Sequence, residues 1–100
     1  ALYAVTTGSS NTATGFYANQ LLTTGNFNVS IGQQAGRTST TGGGNVLVGY
    51  QAGYTNTSGS NNVAIGTTAG YSTTTSNCTY VGYEAGYTNM QIITLLELQT

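Results

Sequence analysis

The sequence predicts an all-β fold, a parallel β-solenoid (a β-helix or β-roll) of about six 17-residue coils. Three observations predict it. A nine-residue unit recurs at a near-constant interval, and the inside of each unit alternates with period two. The composition is also rich in Thr, Val, Ile and Tyr, which favour strands, while only Arg37, Glu84 and Glu97 carry charge.

The unit is clearest in Asn28-Val-Ser-Ile-Gly-Gln-Gln-Ala-Gly36, Asn45-Val-Leu-Val-Gly-Tyr-Gln-Ala-Gly53 and Asn62-Val-Ala-Ile-Gly-Thr-Thr-Ala-Gly70. Weaker copies begin at Asn11 and Cys78. The first glycines are Gly15, Gly32, Gly49, Gly66 and Gly82, at spacings of 17, 17, 17 and 16. Three residues after each stands an alanine: Ala18, Ala35, Ala52, Ala69 and Ala85. Ala1 fits the same slot one period earlier. A second mark is a hydroxyl pair before glycine, ending at Gly8, Gly25, Gly42 and Gly59, with Thr75 where the last glycine would fall.

Seventeen residues are too few for a pair of helices, so one repeat reads as one coil. Its strand is predicted to point Val29 and Ile31, Val46 and Val48, Val63 and Ile65, and Thr79 and Val81 to one face. That face is taken as the interior, because it is aliphatic in every good copy. The residues between (Ser30, Leu47, Ala64, Tyr80) vary in size and polarity and are read as outward. The glycine then turns the chain, the alanine fits a tight corner, and a short second strand leads into a Thr/Ser/Gly turn. Coils stack at about 4.8 Å through ladder hydrogen bonds.

Like stacks on like in such an array. Asn11, Asn28, Asn45 and Asn62 share one register, with Cys78 in the last copy, and form an expected amide ladder. Tyr3, Tyr54, Tyr71 and Tyr87 share another, interrupted by Gln20 and Arg37. Thr38-Ser-Thr40 and Thr55-Asn-Thr57 stack as well, with Ser72 and Thr74 near the next rung and Leu21 breaking the row below.

Residues 1–89 hold the solenoid repeats, and residues 90–100 read as a degenerate last coil or an end cap. Counting on by 17 from Gly82 puts Leu96 and Leu98 in the two inward slots. At the other end Ala1, Leu2 and Tyr3 sit directly in register. Open strand edges invite pairing. With a length near six whole periods, these ends are expected to support end-to-end stacking of copies.

Composition narrows the function. A typical domain is about a quarter charged, whereas this one is 3% charged, with a formal net charge of −1. Nucleic acid needs a basic footprint that Arg37 alone does not provide. No apolar run is long enough to span a bilayer. There is no His and no Asp, so neither a metal site nor a nucleophile–base pair is expected, and no cofactor is called for. Glu84 and Glu97 do not form a carboxylate pair on one coil. Gly42-Gly43-Gly44 lacks the Lys-Ser/Thr of a phosphate loop and reads as a corner. The formal glycosylation sequons at Asn28, Asn56 and Asn77 are expected by chance in so Thr-rich a chain. The lone Cys78 reads as a small residue filling a repeat slot, with an intermolecular disulfide as the alternative.

The Asn-Val-x-Ile-Gly-x-x-Ala-Gly units resemble repeats of bacteriophage tail fibres and of the head domains of trimeric autotransporter adhesins. The resemblance covers residues 1–89. It implies a left-handed parallel β-roll, usually trimeric, on a bacterial or virion surface. By resemblance, the Asn, Val/Ile, Gly and Ala slots are structural. The expectation is a non-catalytic subunit that self-assembles into an extracellular or virion-associated fibre by end-to-end stacking. A trimeric shaft that binds a host surface is the first alternative, and an ice-binding protein built on the Thr rows is the second. The expected partners are copies of the chain and, through the Tyr row, a cell-surface glycan.

Overall fold

The computed structural model describes residues 7–87. Within them five short strands stack in chain order into one parallel sheet: β1 (Thr12–Thr14), β2 (Val29–Ile31), β3 (Val46–Val48), β4 (Val63–Ile65) and β5 (Thr79–Val81). The register follows the repeat throughout. Val29 pairs with Val46, Val46 with Val63, and Val63 with Thr79. The fold is therefore the parallel β-solenoid read from the repeat, with five strands stacked among the described residues. The sixth coil, and with it residues 90–100, lies outside them.

The ladder runs well beyond the strands. Val29 N–H donates to Asn45 O at 2.8 Å, and Gly49 N–H donates to Ile31 O at 2.7 Å. The second short strand expected in each coil is replaced by tight turns. Each corner carries two left-handed residues, two positions apart. The first is Tyr17 (φ 63°), Gln34 (61°), Gln51 (55°), Thr68 (54°) or Glu84 (53°). The second is Asn19 (49°), Gly36 (59°), Gly53 (61°), Gly70 (61°) or Gly86 (64°). A non-glycine residue there costs about 1–2 kcal/mol. The ladder offsets this by holding the same residues: Gln34 N–H reaches Phe16 O at 2.7 Å and Thr68 N–H reaches Tyr50 O at 2.8 Å. Asn19 replaces glycine in the first copy because Asn is among the side chains that tolerate this conformation.

The face assignment within the strand is the reverse of the one expected. Ser30, Leu47, Ala64 and Tyr80 are buried, whereas Ile31, Ile65 and Val81 are 41%, 39% and 60% exposed. Val29, Val46, Val48 and Val63 are only partly covered, and Thr79 is exposed. Period-two alternation separates two faces without saying which is inside, and a shift of one residue exchanges them. The alanines do line the interior: Ala18, Ala35, Ala52 and Ala69 are fully buried and Ala85 is partly so.

The core tolerates variable strand residues because small slots opposite compensate for large ones. A Cβ on Gly36 or Gly53 would lie 2.8 or 2.7 Å from a Leu47 methyl group. A Cβ on Gly86 would overlap the Tyr80 ring. Leu47 and Tyr80 therefore fill space that the glycines leave open, while Ser30 and Ala64 alternate with them. Further inward slots hold Leu22, Ser39, Asn56 and Thr73.

The last coil is one residue shorter than the others. Thr73 still occupies the slot of Asn56, yet Thr75 already stands over Gly59, whose Cβ position falls 2.2 Å from the Thr75 carbonyl oxygen. The turn between Thr73 and Thr75 absorbs the loss, and the strand and glycine corner keep their register.

Candidate functional site

Three longitudinal features could meet a partner: the aliphatic outer face, the hydroxyl rows and the tyrosine column. All three follow from one geometric fact. Equivalent residues of successive coils lie directly above one another, so a residue type repeated at 17 becomes a stripe.

The outer face of the sheet carries Val29, Ile31, Val46, Val48, Val63, Ile65 and Val81. Past the glycine corner it is bordered by the exposed rings of Phe16, Tyr50 and Tyr83. No acid or base lies in these columns. A contiguous apolar stripe of this kind is a candidate interaction surface. The Val/Ile slots named from the sequence are thus brought together as two columns, on the outside of the coil instead of within it.

The inner edge of the sheet carries the expected amide ladder. Asn28 Oδ1 accepts Asn45 N–H at 3.0 Å, and Asn45 Oδ1 accepts Asn62 N–H at 3.0 Å. Asn62 Oδ1 accepts Cys78 N–H at 2.9 Å. Each amide nitrogen reaches forward to a turn carbonyl of the next coil; Asn28 Nδ2, for example, donates to Gly42 O at 2.9 Å and Asn62 Nδ2 to Thr75 O at 2.8 Å. These side chains are buried and structural. The sequons at Asn28 and Asn56 are likewise buried, whereas Asn77 is exposed. Cys78 is a free thiol at the end of the ladder.

The tyrosine column is a continuous stack. The Tyr54 and Tyr71 rings lie 5.1 Å apart and the Tyr71 and Tyr87 rings 5.0 Å apart, each pair tilted by 6°. Both faces of Tyr71 are covered by its neighbours, so that ring presents its edge outward. Tyr3 lies outside the described residues.

The hydroxyl rows are also bound into the stack. Thr40 Oγ1 donates to Thr57 O at 3.2 Å, and Thr23 Oγ1 donates to Thr40 O at 3.2 Å. Thr38 and Thr55 donate likewise to the carbonyls of Tyr54 and Tyr71. The Thr-x-Thr rungs thus stack as predicted, with these hydroxyl protons committed to the next coil.

Glu84 is exposed on the corner of the last described coil. Among the described residues, no group of three or more His, Cys, Asp or Glu could hold a metal, and no helix is long and apolar enough to cross a membrane. The interior lined by Leu47, Gly53, Ala64, Gly70 and Tyr80 leaves no space for a water-sized guest. The self-association ends named from the sequence, Ala1, Leu2, Tyr3, Leu96 and Leu98, lie outside the described residues.

Two tyrosines have raised pKa values. Burial pushes the Tyr80 phenol up; a hydrogen bond to Thr73 opposes the shift and Cys78 adds to it. Burial also raises Tyr71, with smaller contributions from Tyr87, Tyr54 and Tyr50. A raised folded-state value stabilises the fold fully below the usual tyrosine value of 10.0, and that contribution is lost as pH rises through the folded value. The melting temperature is therefore expected to hold level around neutrality and to fall in alkali above about pH 10. Thermal melts followed by circular dichroism, paired with phenolate absorbance, check this. Unchanged melting with every tyrosine ionised would contradict the burial of Tyr80.

Compared with family models, with curated proteins and with solved structures, the chain matches none.

Proposed function

We propose that the chain is a structural, non-catalytic solenoid that joins copies of itself laterally through the aliphatic outer face of its sheet. The fibre so built is extracellular or virion-borne. One observation carries this reading: the Val/Ile columns at 29, 31, 46, 48, 63, 65 and 81 run up the outside of the rod without a charge among them.

Burying a half-exposed Ile or Val at an interface removes apolar area at about 25 cal/mol per Å². A net charge of −1 adds almost no repulsion between copies. The resemblance to adhesin heads and phage fibres, whose rolls usually trimerise, supports lateral packing as well. End-to-end stacking rests on residues 1–6 and 88–100, which lie outside the described ones. The absence of an acid pair or a nucleophile–base pair on any described coil supports a non-catalytic role.

Sedimentation of the double variant I31K/I65K tests the proposal. The side chains are 41% and 39% exposed, so each change should cost a single chain no more than about 1 kcal/mol. The parent is expected to sediment as a multimer and the variant as a folded monomer with an unchanged circular dichroism spectrum. A parent that stays monomeric at high concentration, or a variant that assembles as well as the parent, would refute it.

A further inference from the structure

Among the described residues the chain has one positive charge, which is fixed in place by three contacts and has no carboxylate beside it. Arg37 occupies the tyrosine column, between Gln20 below and Tyr54 above. Its Nε donates to Gln20 Oε1 at 3.0 Å, and its Nη1 donates to the Tyr54 hydroxyl at 3.3 Å. The guanidinium carbon lies 4.5 Å from the centre of the Tyr17 ring. Glu84, the only acid described, belongs to the coil of Gly82, three coils away and roughly 14 Å along the rod.

A free arginine side chain carries about 2 kcal/mol of rotamer entropy that binding must remove. Here the fold has already removed much of it. Two of the five guanidinium N–H donors are used within the chain. The remaining three lie on the terminal nitrogens, where a planar carboxylate binds with two parallel hydrogen bonds. The Tyr54 hydroxyl accepts from Arg37, which leaves its own proton to donate outward.

A second, exposed aromatic ring packs against the tyrosine that carries the guanidinium. The Phe16 ring is 61% exposed, and its centre is 3.9 Å from that of Tyr17, the ring that also carries the guanidinium. Phe16 is thus more open than Tyr71, which is stacked between Tyr54 and Tyr87. Leu21, also exposed, adjoins through its N–H bond to Arg37 O at 3.3 Å.

We propose that Arg37, with Gln20, the Tyr54 hydroxyl and the Phe16 ring, forms a binding site for a carboxylate-bearing sugar. The guanidinium takes the carboxylate, Phe16 takes the apolar side of the ring, and the amide and phenol meet the sugar hydroxyls. A single cation excludes a polyphosphate chain, which needs several. Arg37 and Gln20 lie outside the Val/Ile columns, although Phe16 borders them, so the preference for acidic sugar and its loss in R37Q are read separately from lateral assembly.

Titration calorimetry with oligosaccharides ending in glucuronate or in a nonulosonic acid, against their neutral counterparts, tests the site. The acidic sugars are expected to bind and the neutral ones to bind at least about tenfold more weakly, since a hydrogen bond to a charged group contributes about 1.5–3 kcal/mol. R37Q, which repeats the Gln20 side chain in the same column, should keep the melting temperature and lose binding by a similar factor. F16A should weaken binding without changing the preference for acid. Equal binding of neutral and acidic sugars, R37Q binding as well as the parent, or no binding of any acidic sugar at millimolar concentration would each overturn the proposal. So would a loss of self-association in both R37Q and E84Q, which would make Glu84 of a second copy the partner of Arg37.

Discussion

Replacing Gly49 by alanine is expected to remove most of the stability of the fold. Gly49 has φ 134°, a conformation L side chains rarely adopt. A Cβ there would sit 2.4 Å from the Gly66 carbonyl oxygen and 2.6 Å from its carbon, both backbone atoms of the next coil. Strain at a positive φ alone costs about 1–3 kcal/mol. The overlap cannot be relieved by turning a side chain aside, so the two coils must separate locally. Separation puts at risk the bonds from Gly49 N–H to Ile31 O and from Gly66 N–H to Val48 O. The combined loss is expected to exceed about 3 kcal/mol, against a total of about 5–15 kcal/mol for an ordinary domain. Urea unfolding followed by circular dichroism measures it. A G49A protein within about 1 kcal/mol of the parent would mean that the coils are not in contact at the glycine corner.

The second large effect is expected from N45D, and it should depend on pH. The Asn45 side chain is buried; its Nδ2 donates to Asn28 Oδ1 at 3.1 Å and to Gly59 O at 2.9 Å. A carboxylate keeps the acceptor that serves Asn62 N–H but turns a negative oxygen toward two other oxygens in a dry site. An unpaired buried charge costs several kcal/mol. The introduced acid would have a folded-state pKa above its unfolded value of about 3.9. Its neutral form therefore fits the fold, and destabilisation grows as pH rises from the unfolded value through the folded one. N45D is expected to be folded near pH 3 and largely unfolded at pH 7. N45A should lose about 2–3 kcal/mol at both, from the groups it leaves unpaired. A pH-independent N45D melt would show that the ladder is open to water.

The repeat made the fold legible because a parallel stack places identical residues in identical surroundings. The Asn ladder, the Ala slots and the stacking of Tyr54, Tyr71 and Tyr87 all follow from the 17-residue count, shortened by one in the last coil. The sense of the sheet was harder to read. Valine and isoleucine usually go inside, yet this coil is too narrow to take a β-branched residue at every rung. Its interior is built from Ala, Gly and the Asn ladder with two variable slots, one filled in turn by Ser30, Leu47, Ala64 and Tyr80 and the other by Leu22, Ser39, Asn56 and Thr73. The parity was available in Asn28 and Asn45: if a ladder amide points inward, residue 30 or 47 two positions on does as well, and Val29 and Val46 point out. The double left-handed corner was hidden, because Tyr17, Gln34, Gln51, Thr68 and Glu84 share no chemistry that announces a positive φ. Arg37 looked like an interruption of the tyrosine row, and only its contacts with Gln20, Tyr54 and Tyr17 show it to be a fixed group.

The short turn between Thr73 and Thr75 shows where this architecture tolerates editing. A residue removed there leaves the pairing of Val63 with Thr79 intact. The equivalent turns at Thr24, Thr41 and Ser58 are exposed in the same way, one per coil on one side of the rod. Foreign peptides spliced into them would emerge in a line, one rung apart at about 4.8 Å. The solenoid is thereby a ruled scaffold, on which the distance between displayed segments is set by how many coils are skipped.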